Sequence, residues 1–355
     1  MLARRLLDYF GGAEAIFLGQ RQQWQAMGCK GKAVDWLADP DWDACALDLK
    51  WLATDNHHLI HCLSPTWPRL LAETEGAPIA LYALGDLDLI NMPQLAIVGS
   101  RTPTASGRDA AEEFGRHLAS KGVVVTSGLA LGVDAAAHQG ALKAGGMTIA
   151  VCGTGLDRVY PRANHGLAQQ IAEQGLLLSE FPLGTAVNAH NFPKRNRVIS
   201  ALSLGTLVVE AAVRSGSLIT ARYASEQGRE VFAMPGSIHN PLARGCHKLI
   251  RDGAKLVENA AHVFEELAPQ LGQAGRDLAK QAAAEVDRAG ARQAAAQASL
   301  AEQNPVLSVM EYEPISVDQL VQKSGLTAAE VSSMLMVLEL EGQVAKTPTG
   351  EFIRR

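Results

Sequence analysis

Cations set in turns are the residues of this chain best suited to chemistry. Arg101 ends Gly99-Ser100-Arg101, just after an apolar run. Arg158 and Arg162 follow a second apolar run, in a stretch that opens with Gly153-Thr154-Gly155 and carries Tyr160-Pro161. Lys194, Arg195 and Arg197 fall in Phe192-Pro193-Lys194-Arg195-Asn196-Arg197. A guanidinium meets phosphate oxygens through a planar fork, and helix N-termini add backbone N–H donors. Phe192, Tyr160 and Phe181 lie beside these turns and offer faces for base stacking. Cations interleaved with aromatics suit a single nucleic-acid strand. Any one of these arginines alone reads first as a solvated charge or a structural ion pair. Several gathered at one edge read as a polyanion site.

Other chemistries lack their residues. There is no G-x-x-x-x-G-K-[ST] loop, no H-E-x-x-H and no G-x-S-x-G elbow. Gly99-Ser100-Arg101 puts an arginine where a pyrophosphate turn wants a small residue, and Gly153-Thr154-Gly155 is only a fragment of a dinucleotide fingerprint. The five cysteines, Cys29, Cys45, Cys62, Cys152 and Cys246, are odd in number and form no C-x-x-C. A disulfide scaffold and a zinc ribbon are not expected, which suits the reducing cytosol. No metal, no cofactor and no catalytic residue is expected.

The elements that position the cations follow from patterning. From about residue 77 the chain repeats strand, glycine turn, helix. Gln94–Gly99, Val123–Thr126, Met147–Cys152, Gly175–Ser179, Thr206–Glu210 and Glu230–Met234 read as strands. Ala105–Ser120, Val133–Ala144, Ala163–Glu173, Arg195–Leu204 and Ser217–Gln227 read as helices. Nearly all-apolar strands alternating with helices predict an α/β fold, a Rossmann-like, doubly wound, mostly parallel sheet. Such sheets bring the turns after their strands to one edge.

The flanks differ. Residues 1–75 read as small helices and hold all five tryptophans, Trp24, Trp36, Trp42, Trp51 and Trp67, first as buried anchors and otherwise as stacking platforms. Residues 76–268 form the Rossmann-like part. Residues 269–303 are an Ala/Gln-rich helical linker, with 12 Ala and 6 Gln in 270–303. Residues 304–355 read as three helices and a hairpin, a winged-helix-like module, with Thr327 as an N-cap. The net charge of −5 is uneven: −3 in 1–75, +1 in 76–268, 0 in 269–303 and −3 in 304–355. The third helix of the last module has three glutamates and no basic residue, so DNA contact through it is disfavoured and protein contact favoured. No run of apolar residues is long enough to span a membrane. With no secretory signal, a cytoplasmic location is expected.

Ordered over residues 97–255, several motifs resemble the bacterial DNA-processing protein A family. They are Gly99-Ser100-Arg101, Ser127-Gly128-Leu129-Ala130-Leu131-Gly132-Val133-Asp134 with Ala136-Ala137-His138, Gly153-Thr154-Gly155 and Tyr160-Pro161. Further on come Ser179–Gly184, Phe192–Arg197, Glu210-Ala211, Ser215-Gly216-Ser217 with Thr220-Ala221, and Pro235-Gly236. The resemblance implies single-stranded DNA binding, a homodimer, and loading of RecA recombinase during natural transformation. A single-stranded-DNA-binding protein is a further implied partner. Carried over by motif, Gly99, Ser100, Arg101, Arg162, Phe192, Lys194, Arg195, Asn196 and Arg197 would line the DNA site. Ser127, Gly128, Gly132, Asp134, Gly153, Gly155, Glu210, Ser215, Gly216 and Ser217 would shape it, with Asp134 capping the helix that follows. Leu131 stands where the family usually has an arginine. The chain begins almost at the Leu6-Leu7 helix, so either the SAM or helix-hairpin-helix-like N-terminal module is reduced or the start of the chain is set too late. Two other classes stay open. One is a Rossmann-like nucleotide or phosphoribosyl hydrolase of the lysine-decarboxylase-like type, with Glu210 as acid, although its Pro-Gly-Gly-x-Gly-Thr turn is missing. The other is an interaction scaffold that binds neither DNA nor nucleotides.

Overall fold

The computed structural model describes residues 2–310, 314–347 and 350–354, the side chains at 44, 289 and 292–303 excepted. They divide into two compact units, residues 1–280 and 281–355.

The first unit is built on nine strands: β1 (His57–His61), β2 (Ala80–Gly85), β3 (Gln94–Val98), β4 (Val124–Ser127), β5 (Thr148–Val151), β6 (Leu176–Ser179), β7 (Gly205–Val208), β8 (Glu230–Ala233) and β9 (Lys255–Leu256). Their order is β1-β2-β6-β5-β4-β3-β7-β8-β9. Strands β3 to β9 pair in parallel, while β2 pairs antiparallel with both β6 and β1. Helix α1 (Ala105–Ser120) packs against α2 (Val133–Lys143), and α2 packs against α3 (His165–Gln174). Helices α4 (Asn191–Leu202) and α5 (Ser217–Glu226) pack against each other. Every residue of β3 to β7 is buried, as expected of strands covered on both faces.

Gln94, Thr126 and Thr148 are buried polar groups paired within this core. Gln94 donates from Nε2 to the Ile90 carbonyl at 2.8 Å, and its Oε1 accepts from Thr126 at 2.7 Å. Thr148 donates from Oγ1 to the Val125 carbonyl, so it must accept from Nδ1–H of His138, 2.7 Å away. His138 is therefore the neutral Nδ1–H tautomer, and burial depresses its pKa to about 3. The unfolded chain takes up this proton first on acidification, so stability is lost as pH falls below the ordinary histidine value. Going from pH 7 to pH 5 is expected to remove about 2 kcal/mol through this residue. Urea unfolding at the two values checks it. A His138→Gln variant with an undiminished pH dependence would sink the assignment.

Two readings of the first 75 residues change. His57–His61 is not helical but pairs with β2, register His57↔Leu84 to His61↔Ala80. The tryptophans also divide. Trp24 is buried in the small helical core with Leu6, Ile16 and Val34, donating to the Ile16 carbonyl at 2.8 Å, and Trp67 joins the sheet core. Trp36 and Trp42 are exposed instead, each about 6 Å from the Phe17 ring.

Residues 260–303 are helical, interrupted at Gly272 (φ 64°). The second unit carries helices α7 (Pro305–Val309), α8 (Val317–Ser324) and α9 (Ala328–Leu340), with α6 assigned to Arg244–Arg251 in the first unit. Strands β10 (Val344–Lys346) and β11 (Phe352–Arg354) pair antiparallel, and Ile315 bridges to Phe352. Thr327 caps α9 in a reciprocal box with Glu330, and Gly325 ends α8 in the left-handed conformation. Val306, Leu307, Leu320, Val331, Leu335, Leu338 and Phe352 close the core. The winged-helix expectation holds. Lys346 and Arg354 lie in β10 and β11, and Arg355 lies outside the described residues.

Candidate nucleic-acid interface

Strands β3 and β7 are neighbours, and chain order runs away from them in opposite directions. A crevice opens beyond the carboxyl ends of strands at such a reversal. Here it is a cavity of about 650 Å³. Gly99 and Arg101 reach it from the end of β3, Ala130 and Asp134 from beyond β4, Phe192, Arg195 and Asn196 from α4, and Ser215, Gly216 and Ser217 from the start of α5.

Its floor is a strained turn held from both sides. Leu129 has φ 57°, a left-handed backbone that costs a branched residue on the order of 1–3 kcal/mol. The N–H groups of Gly128 and Ala130 donate to Asp134 Oδ2 at 3.1 and 3.4 Å. The carbonyls of Leu129 and Ala130 accept from Asn164 Nδ2 at 2.8 and 3.2 Å. Arg195 donates from Nη1 to the carbonyls of Gly128 and Val151. Gly128 lies so close that a Cβ there would be 2.1 Å from Arg195 Nη1. Asp134 thus caps the turn before its helix, not the helix itself. Burial pushes its carboxyl above the usual range, against the pull of Arg195 and the two N–H groups.

The rim carries the exposed groups. The Arg101 guanidinium lies 5.6 Å from the centroid of the Phe192 ring, and Tyr160 lies 5.6 Å from it on a tilted plane. Lys194 and Arg162 are exposed, and neither side chain makes a hydrogen bond or ion pair among the described residues.

The structure separates the six cations of the sequence reading. Phe192–Arg197 is not a turn but the first turns of α4, with Pro193 where a helix lacks N–H acceptors anyway. Helical spacing then sends its cations three ways. Lys194 faces solvent. Arg195 is only 4% exposed, its Nη1 taken by the Gly128 and Val151 carbonyls. Arg197 is bound to Glu180 and donates to the Gly76 carbonyl at 2.6 Å. Arg158 pairs with Asp157 at 3.1 Å. The exposed cations without an ion pair among the described residues are therefore Arg101, which lines the crevice, and Arg162 and Lys194, which do not line it.

The remaining predicted residues build walls. Ser127 donates to the Ile97 carbonyl at 2.6 Å. Gly132 (φ 79°) approaches Ser100 so closely that a Cβ would meet the Ser100 carbonyl at 2.4 Å. Gly153 faces the Phe192 ring, and Gly155 packs against Pro182. Ser215 and Ser217 share a hydrogen bond at 2.7 Å, and Asn196 donates weakly to Gly216. Glu210 accepts from the N–H and Oγ1 of Thr104 at 2.9 and 2.7 Å, tying down the N-cap of α1. Both its oxygens accept hydrogen bonds from Thr104, so this helix N-terminus accounts for its placement. Sequence reasoning missed Asn164, and also Asn191, whose Nδ2 donates to the Gly153 carbonyl at 3.1 Å. Each precedes or opens a helix and looks there like an ordinary cap.

A family model described as DNA recombination-mediator protein A matches residues 58–268. The chain belongs to this family. A second model, the DprA winged helix domain, matches residues 290–350. Protein Smf of Escherichia coli (strain K12) is 43% identical over 304 residues, 85% of this chain and 79% of that protein. DNA processing protein DprA of Streptococcus pneumoniae is 47% identical over 204 residues, 58% of this chain and 72% of that protein. The X-ray structure of DNA processing protein A from Streptococcus pneumoniae superposes with a TM-score of 0.68 at 38% identity, covering 75% of this chain and 92% of that one. A Helicobacter pylori structure, described as giving the single-stranded DNA binding mode of its DNA processing protein A, superposes with a TM-score of 0.55 at 31% identity. It covers 60% of this chain and 96% of that one. This recombination-mediator family member thus has the doubly wound sheet and the C-terminal winged helix read from its sequence. Among the described residues, no helix is long and apolar enough to cross a membrane.

Proposed function

We propose that this protein binds single-stranded DNA in the crevice between β3 and β7 and passes the strand to RecA recombinase during natural transformation. It acts as a homodimer in the cytoplasm, beside a single-stranded-DNA-binding protein, and without catalysis of its own. The observation that carries the reading is the Arg101–Phe192–Tyr160 rim, a cation and two aromatic faces at the mouth of a cavity of about 650 Å³. Bases swung out of a single strand stack on such faces while Arg101, Arg162 and Lys194 meet the phosphates. A duplex keeps its bases stacked inward. The Helicobacter pylori relative, studied for its single-stranded DNA binding mode, supports the choice of strand.

A long oligo(dT) is expected to bind clearly tighter than blunt duplex DNA in a gel-shift series, with little dependence on sequence. Equal affinity for both forms would overturn the reading. RecA filament formation on strands coated with single-stranded-DNA-binding protein, with and without this protein, tests the loading step. Deleting residues 304–355 is expected to leave the oligo(dT) affinity almost unchanged, because that acidic segment repels a polyanion. A large loss with the remaining chain still folded would make the winged helix a DNA reader.

A further inference from the structure

Helix α9 of the winged helix presents an ordered apolar stripe to solvent. Met336, Val337 and Leu340 are 67%, 51% and 84% exposed. At 100° per residue they share one face with the exposed Ala329 and Ser333, opposite the buried Val331, Leu335 and Leu338. The stripe has acidic borders. Glu330 and Glu341 lie along one side and Glu339 along the other, all exposed. No lysine, arginine or histidine occurs in Ala328–Leu340.

This is the helix that a winged helix would lay in a DNA groove. Its face is wrong for that use, since phosphates flank a groove and glutamates would meet them. A second copy fits poorly too. A two-fold axis near Met336 would set Glu341 of one helix beside Glu330 of the other, like against like. The geometry points to a different occupant: we propose that this face docks a basic amphipathic helix of a partner protein. The partner's apolar stripe lies on Met336, Val337 and Leu340, and lysines or arginines flanking it face Glu330, Glu339 and Glu341. Helix-in-groove recognition works through such spaced apolar anchors, and the charged borders set the register and exclude the wrong partner. The small Ala329 and Ser333 let the partner's backbone come close at the N-terminal half of the seam.

The test uses the full chain and three synthetic peptides of about five helical turns. One has a leucine stripe flanked by lysines, one has the same composition scrambled, and one has the lysines replaced by glutamates. Fluorescence anisotropy is expected to show the ordered basic peptide binding at least about tenfold tighter than either control. Because anchors at an interface centre dominate its affinity, the Met336→Ser/Leu340→Ser double variant is expected to lose roughly tenfold or more. Both side chains are exposed, so the variant keeps its fold, which circular dichroism verifies. Glu339→Lys/Glu341→Lys is expected to shift preference toward the glutamate-flanked peptide. Equal binding of ordered and scrambled basic peptides would overturn the proposal, as would indifference to the serine variant. So would self-association abolished by Leu340→Ser, which would give the face to a second copy, or duplex binding abolished by it, which would give the face to DNA.

Discussion

Replacing Arg195 by alanine is expected to destabilise the first unit by about 2–6 kcal/mol, roughly 1–3 kcal/mol for each of two buried carbonyls left without a donor. Arg195 is 4% exposed and its Nη1 serves two carbonyls, on Gly128 and on Val151, within the electrostatic reach of the buried Asp134. Alanine leaves both carbonyls without a donor and the carboxylate without its counter-charge. Both bonds leave a single nitrogen, Nη1, so lysine, whose ammonium also carries several N–H donors, is expected to recover part of the loss. Gly128→Ala attacks the same pairing from the other side, its methyl entering the space of the Arg195 Nη1. Urea unfolding followed by circular dichroism measures the loss. An unchanged midpoint with an unchanged slope would mean that Arg195 is not what holds the floor of the crevice. DNA affinity will fall as well, but only in step with the folded fraction.

The opposite signature is expected at the rim. Arg101→Ala and Lys194→Ala should leave stability within about 0.5 kcal/mol, as surface substitutions usually do. Each should flatten the salt dependence of oligo(dT) binding, lowering the logarithmic slope by about 0.7 for each phosphate left without its cation. Phe192→Ala removes a stacking face, an effect of about 1–3 kcal/mol per base, or roughly 5- to 150-fold in affinity, with little change of slope. Affinity titrations at several salt concentrations separate the two effects. If all three variants bind with wild-type affinity and slope, the strand runs elsewhere on the molecule.

These two expectations divide a single hexapeptide, and that division shows where sequence reading stops. Phe192–Arg197 announces cations beside an aromatic, which is legible from composition alone. Which cation points where depends on the helix beginning at Asn191, ahead of a proline that argues for a turn. Strands β3 to β8 were legible because both faces are covered and their residues are almost all apolar. His57–His61 was not, because three histidines in an edge strand give neither an apolar run nor a clean alternation. Glu210 looked reactive for the same reason that it is conformational. A carboxylate at the end of a strand suits either an acid or a helix N-terminus, and only Thr104, 106 positions away, accounts for its placement here. Pairings across such separations leave no local trace in the chain.

The position of Arg101 over Phe192 makes ligand entry an exchange reaction. Without a ligand, the ring already has a cation on its face. A base that takes this place must return what it displaces, a π partner for the ring and a negative charge for the guanidinium. A free nucleobase supplies the first and inorganic phosphate the second. A nucleotide supplies both at once, and only a chain of nucleotides repeats the offer at Arg162 and Lys194. Free bases and free phosphate, each carrying half of the required pair, are therefore expected to compete poorly for this crevice, and a mononucleotide to compete better than either but far below a strand.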